Sequence, residues 1–399
     1  MIMPNIKTDN LSCRELADTI NRLNNLTTGG NELYKRNKVS ILPLLKKLLQ
    51  ISKRENEWYI YFYGLYAIMY ELLRCGDLLE VIKYAEVFYR DSALMDKELP
   101  NYPDTNMAEI NIWIYSMIYF PYSACHQIDD AKMSIFMHMY EDAALKYGRT
   151  FDYYKDEMKL GILYRDIDLV KHGKKYFEQY ERNWSGCYVC GHKQFLGYYL
   201  LLGEIDMAEE LMQIFIHRQI PKQYQWCYEY CQEAETSSLY VTLLEDCLTV
   251  GNPAAFRYFY EKYWSTLPRE EQRSTPDIWN RTSRLFFCAI AGDFKDLESD
   301  IHEAENDVKE SCTFATLDLI EEALQWMCYF WLLDHYGISQ VLINLPGLQE
   351  DGLKKSSLSI SSYFEHMADD AGSKFQLSRA KFDYQLLKDT YYEVLTYGH

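Results

Sequence analysis

Trp58 to Tyr89 reads WYIYFYGLYAIMYELLRCGDLLEVIKYAEVFY, and this stretch decides the fold. Its first half is apolar at helical spacing. Cys75-Gly76-Asp77 then interrupts it, and Leu78, Val81, Ile82, Ala85, Phe88 and Tyr89 resume a stripe with a period of about 3.6 residues. The pattern predicts a helix, a tight turn and a second helix. The same order recurs in YYLLLGEIDMAEELMQIFI (198–216) around Gly203, in LLEDCLTVGNPAAFRYFYEKYW (243–264) around Gly251, and in LFFCAIAGDFKDLESDIHEAE (285–305) around Gly292.

Three weaker copies keep the turn, the acidic residue and the small or apolar residue without the glycine in the same place: His126 to Ala131, Arg165 to Val170, and Tyr336 to Val341. The turns fall at 76, 126, 165, 203, 251, 292 and 336, so their spacing runs from 38 to 50 residues, which suits paired-helix repeats. One hairpin cannot bury both of its apolar faces, whereas stacked hairpins bury a continuous core. The expectation is an all-α chain: a right-handed α-solenoid of about seven helical hairpins over 55–345. Residues 1–54 would form an N-terminal helical cap, with two polar helices separated by Thr27-Thr28-Gly29-Gly30. Residues 346–362, rich in Gly, Ser and Lys, read as a linker, and 363–399 as C-terminal capping helices.

Gly76-Asp77 with Val81, and Gly203-Glu204 with Ala208, resemble the turn glycine and the second-helix small residue of the tetratricopeptide repeat, whose unit is 34 residues. The units here are longer, so the chain resembles a divergent member. Cys187-Tyr188-Val189-Cys190 ahead of the Gly203 hairpin, Cys227 after it, and the terminal stretch Ala371 to Arg379 are similar to a group of bacterial proteins with such repeats. The proline that this group carries after its third cysteine is absent. The resemblance implies a scaffold that binds proteins or peptides, in a bacterial regulatory or signalling-peptide role. Relatives of that kind usually carry a DNA-binding helix-turn-helix or an effector bundle at the N-terminus, and residues 1–54 are too short and too weakly basic for one, so the expectation is an interaction protein with no DNA-binding head.

Composition narrows the partners. Lys plus Arg number 41 and Asp plus Glu 59, a net charge of −18, which disfavours direct binding to nucleic acid. The opening residues lack the basic head and apolar run of a secretory signal. Eleven cysteines, an odd number, then argue for reduced thiols, and the expected location is cytoplasmic. Ile110 to Ile128 holds no Asp, Glu, Lys or Arg, but Asn111, Pro121, His126 and Gln127 interrupt it. It reads as a buried helix ending near Phe120-Pro121 rather than a membrane span.

Two constellations carry chemistry. Cys187, Cys190, Cys227 and Cys231 form a Cys-x2-Cys-x36-Cys-x3-Cys set, the ligand type zinc takes in a tetrahedral site, with His192 and His217 nearby in sequence. The competing reading treats them as small buried apolar residues, like Cys75, Cys125, Cys247, Cys288, Cys312 and Cys328. The second is the excess of tyrosine, 36 in all. Tyr59, Tyr63 and Tyr66, and Tyr224, Trp226, Tyr228 and Tyr230, are candidates to line a concave binding groove, since tyrosine offers area at low entropy cost and a hydroxyl. No serine elbow, phosphate loop or paired-histidine motif is present. Asp129-Asp130, Glu270-Glu271 and Glu321-Glu322 read as solvated helix faces. The sequence therefore points to a non-enzymatic protein- or peptide-binding scaffold without a cofactor. The alternative is a zinc-dependent regulator or enzyme built on the four cysteines.

Overall fold

The computed structural model describes residues 11–28, 41–74, 77–103, 106–180, 187–231, 234–274, 281–310, 316–348 and 353–396. The fold class is all-α. In chain order the helices are α1 (Cys13–Thr28), α2 (Leu42–Glu55), α3 (Trp58–Arg74), α4 (Leu78–Glu98), α5 (Met107–Ala124), α6 (Asp130–Tyr147), α7 (Thr150–Leu163) and α8 (Ile167–Tyr180). Then follow α9 (Tyr188–His192), α10 (Gln194–Leu201), α11 (Ile205–Ile216), α12 (Cys227–Tyr230), α13 (Thr236–Thr249) and α14 (Pro253–Lys262). The series ends with α15 (Arg269–Arg273), α16 (Arg281–Ile290), α17 (Leu297–Glu310), α18 (Leu317–His335), α19 (Ser357–Ser378) and α20 (Tyr384–Thr396). Strands among the described residues are confined to an antiparallel pair, β1 (Gln340–Val341) and β2 (Lys355–Ser356).

The turns explain why helix follows helix. Gly203 has φ +73° and Gly251 φ +75°, a left-handed conformation that glycine adopts without a Cβ penalty. At each, paired backbone bonds close the preceding helix: Gly203 N–H to Leu200 and Glu204 N–H to Tyr199, then Gly251 N–H to Leu248 and Asn252 N–H to Cys247. This double closure caps carbonyls that the helix end would leave unpaired. Arg165, in one of the weaker copies, takes φ +52° and makes the same pair of bonds through Arg165 and Asp166. The turn at Cys75-Gly76 lies outside the described residues.

Contacts divide the chain into two units. The first comprises residues 1–123 and 135–153. Within it α1 packs on α2 and α3, and α2 and α4 both pack on α3. Its core is aromatic: Tyr115 and Tyr140 stack at 5.3 Å with planes 5° apart, and Phe136 meets Tyr122 at 5.0 Å. Asp91 is buried here among Lys53 (2.8 Å), Arg90 (3.1 Å) and the Tyr61 hydroxyl. Burial pushes its carboxyl up, but hydrogen bonds from Arg90, Lys53 and Tyr61 outweigh it and hold the group well below the usual carboxylate range. The apolar stretch at 110–128 forms α5, which continues past the expected stop to Ala124 with Pro121 inside it. The missing proline N–H falls in the last turn, and Ser123 Oγ donates to the Phe120 carbonyl at 2.9 Å. Among the described residues no helix is long and apolar enough to cross a membrane.

The second unit comprises residues 124–134 and 154–399. α10 packs on α11 and α13 on α14, while α10, α13, α16 and α18 touch in succession. Near its end the chain departs from the expected pattern. After Gly337 (φ +87°) no second helix forms; the β-branched run Ile338 to Ile343, followed by Pro346, makes β1 and a loop. α18 pairs instead with α19, so the stretch expected as a linker already contains β2 and the first turns of α19. α20, expected to cap an end, lies against α13, α14 and α18. Leu387, Tyr391, Val394 and Leu395 bury its apolar face, and Gln325 donates to the Tyr391 hydroxyl. The preceding Arg379 is fully buried and donates to the Asp129 carbonyl, and Lys381 pairs with Asp166 at 3.3 Å.

Candidate metal centre

Cys187 stands just before α9, where its extended backbone lets the sulfur accept the Cys190 N–H at 3.5 Å. The short spacing thus folds both sulfurs toward one point. Thirty-six residues separate this pair from the next, and α12 with the residue after it returns Cys227 and Cys231 to the same place. Cys190 Sγ lies 3.3 Å from Cys231 Sγ. The sulfurs of Cys187, Cys190 and Cys231 all fall within 4.8 Å of one another. Cys227 is buried, and its sulfur accepts the Tyr188 N–H at 3.2 Å. Zinc–sulfur bonds of about 2.3 Å in a tetrahedron place sulfurs roughly 3.8 Å apart, a spacing that the Cys187, Cys190 and Cys231 sulfurs bracket, whereas the expected fourth ligand, Cys227, falls outside that mutually close set.

The Cys190 contact pulls the Cys187 thiol down, yet hydrogen bonding to Cys231, burial and the Cys227 contact outweigh it and push it up to about 12. Converging thiols without a positive charge hold their protons; a divalent cation releases them. Burial raises the thiols of other cysteines as well. Cys125 and Cys288 are each pushed up to about 12 by burial, and Cys247 and Cys328 are raised well above their ordinary range; among the described residues none of the four belongs to the sulfur cluster. For these the small-apolar reading of the sequence holds. Cys75 and Cys312 lie outside the described residues.

His192 does not join the sulfurs. Its ring is buried, stacks on Tyr188 at 3.7 Å and engages the Tyr188 carbonyl through Nδ1 at 2.8 Å. It acts as a packing element beneath Cys187, with Phe177 and Phe195 edge-on to it. His217 is exposed at the end of α11.

The aromatic candidates fall in the two units. In the first, Tyr59 donates to Asn106 at 2.8 Å, and Tyr66 lies against Tyr63, Tyr70 and Trp113. In the second, Tyr224 packs on Tyr188 at 5.1 Å, Trp226 is exposed, and the Tyr228 hydroxyl donates to the Phe215 carbonyl at 2.8 Å. Tyr230 ends α12, and its side chain lies outside the described residues.

One group of acids departs from its sequence reading. Glu321, expected on a solvated face, is desolvated and lies close to Asp318, Glu245 and Asp246, so its carboxyl is pushed up to about 8. Loss of water likewise pushes Asp246 to about 7 and Asp318 to about 6. The signal in the sequence was Glu245-Asp246 set between Leu244 and Cys247, acids with apolar neighbours on both sides.

No protein-family model, curated protein or solved structure matches the chain.

Proposed function

We propose that this chain is a helical-hairpin scaffold, stacked as a right-handed solenoid of tetratricopeptide type, that holds a peptide or protein segment and is stapled in its second unit by zinc. The observation that carries the staple is the convergence of sulfurs from two segments 36 residues apart. Cys187, Cys190, Cys227 and Cys231 would supply all four ligands. A sphere closed by four thiolates leaves no position for substrate, which is the structural rather than the catalytic arrangement of zinc. The reading as a zinc-dependent enzyme is correspondingly weaker than the reading as a scaffold.

Support for binding comes from the succession of touching helices α10, α13, α16 and α18, since stacked hairpins present extended surfaces to partners. Elemental analysis of the purified protein tests the staple: one zinc per chain is expected, lost in a Cys187→Ser variant, and metal-free protein would exclude it. Thermal protection by peptides tests the scaffold reading, and a chain that no peptide or protein stabilises would count against it.

A further inference from the structure

Beside the sulfur cluster the second unit opens a cleft of about 300 Å³, at the small end of ligand-pocket sizes. Its floor is mixed: Phe215 and Ile216 at the end of α11 and Ala234 supply the apolar part, and the buried Ser237 with Thr236 the polar part. Tyr228 forms one wall, and Glu235 and Glu271 stand at the other. Tyr228 follows Cys227 directly, and its hydroxyl bond to Phe215 ties that wall to the floor. The wall is therefore held by the same turn that delivers two sulfurs.

The charges select the occupant. Arg218 also lines the cleft, but its guanidinium is spent on the Tyr228 ring face, 5.0 Å from the ring centre. Glu235 and Glu271 are exposed, and among the described residues neither enters an ion pair; a second cation, Arg284, is buried behind the lining and donates to Ser237 Oγ at 3.4 Å and to the Glu271 carbonyl at 3.2 Å, so the two carboxylates are the charges left at the surface of the cleft. Apolar area from Phe215, Ile216 and Ala234 beside two exposed carboxylates fits a side chain with an aliphatic stem and a cationic head.

Resting on the scaffold reading above, we infer that this cleft receives an arginine or lysine side chain of the bound peptide, and that metal at the four cysteines holds its aromatic wall in place. The net charge of −18 would draw basic partners toward it over a longer range.

The test uses the full-length, metal-loaded protein and two pools of short labelled peptides, randomised except for a central arginine or its neutral isostere citrulline. Fluorescence anisotropy should show the arginine pool binding roughly tenfold more tightly, as a charge-assisted contact requires. A Glu235→Gln/Glu271→Gln variant, altered only at exposed positions, should erase that preference. A charge-matched Glu204→Gln/Glu210→Gln control should keep it, and chelation should remove it. Equal binding of both pools, or a preference surviving in Glu235→Gln/Glu271→Gln, would overturn the proposal, as would spermidine binding with the same glutamate dependence but no peptide binding. The two readings fail separately: zinc present with no arginine preference sinks the cleft alone, whereas absence of zinc with a glutamate-dependent preference sinks the staple and the wall's dependence on it.

Discussion

One buried acid of the unit formed by residues 1–123 and 135–153 and three half-buried groups of the unit formed by 124–134 and 154–399 respond to loss of water in opposite ways. In the first, Asp91 stays charged because Lys53, Arg90 and Tyr61 converge on it. In the second, Asp246, Glu321 and the Cys187 thiol are all pushed toward the protonated form, because like groups converge where water is scarce. A buried charge is tolerable when its partners are built in. Where they are not, the group keeps its proton.

Removing metal should separate the units most sharply. Strong chelation, or Cys231→Ser, is expected to destabilise the second unit by several kcal/mol, on the order seen when a structural zinc is lost. Calorimetry with limited proteolysis should show cleavage concentrated after residue 154, with the first unit's protection unchanged. Cleavage spread evenly over both would erase the contrast. Next in size, Tyr140→Ala should remove a fully buried ring stacked on Tyr115 and cost about 3–5 kcal/mol. The zinc content of that variant should equal that of the parent, which elemental analysis checks.

The pH responses should run in opposite directions. Asp91, depressed in the fold, contributes stability that is present above its unfolded value near pH 3.9 and is lost as the pH falls through its folded value. Asp246, Asp318 and Glu321, raised in the fold, hold protons that the unfolded chain releases above about pH 4. Their contribution therefore declines as pH rises toward about 8, the value of Glu321. Urea titrations across this range should show a downward slope for the second unit that Glu321→Gln flattens; a slope unchanged in that variant would refute the assignment. The smallest effects should be equal in both units. Gly148 and Gly203 have φ +67° and +73° with open space where a Cβ would stand, so alanine at either should cost only about 1–2 kcal/mol of backbone strain. Denaturation midpoints measure this directly, and a much larger loss at one of them would reveal a packing role.

Much of the helical pattern was legible because apolar periodicity and turn glycines are local signals. Gly203, Gly251 and Gly292 all adopt the left-handed geometry their context demanded. The convergence of Cys187 and Cys190 with Cys231 was legible only as ligand type, since a gap of 36 residues says nothing of where a chain returns. Two things escaped local reading. The path of α20 back onto α13 and α14 depends on apolar faces far apart in the chain. The upward shift of Glu321 depends on the loss of water around it and on repulsion from acids of its own helix, Asp318, and of another, Glu245 and Asp246. A helical pattern shows that a residue lies on a helix face; what covers that face is decided by tertiary packing.

X-ray absorption at the zinc edge on the purified full-length protein bears on the central claim most directly. The account predicts one zinc per chain surrounded by four sulfurs at about 2.3 Å, with the sulfur signal reduced in the Cys231→Ser variant. A shell dominated by nitrogen or oxygen, or protein that binds no zinc when its thiols are reduced, would contradict it.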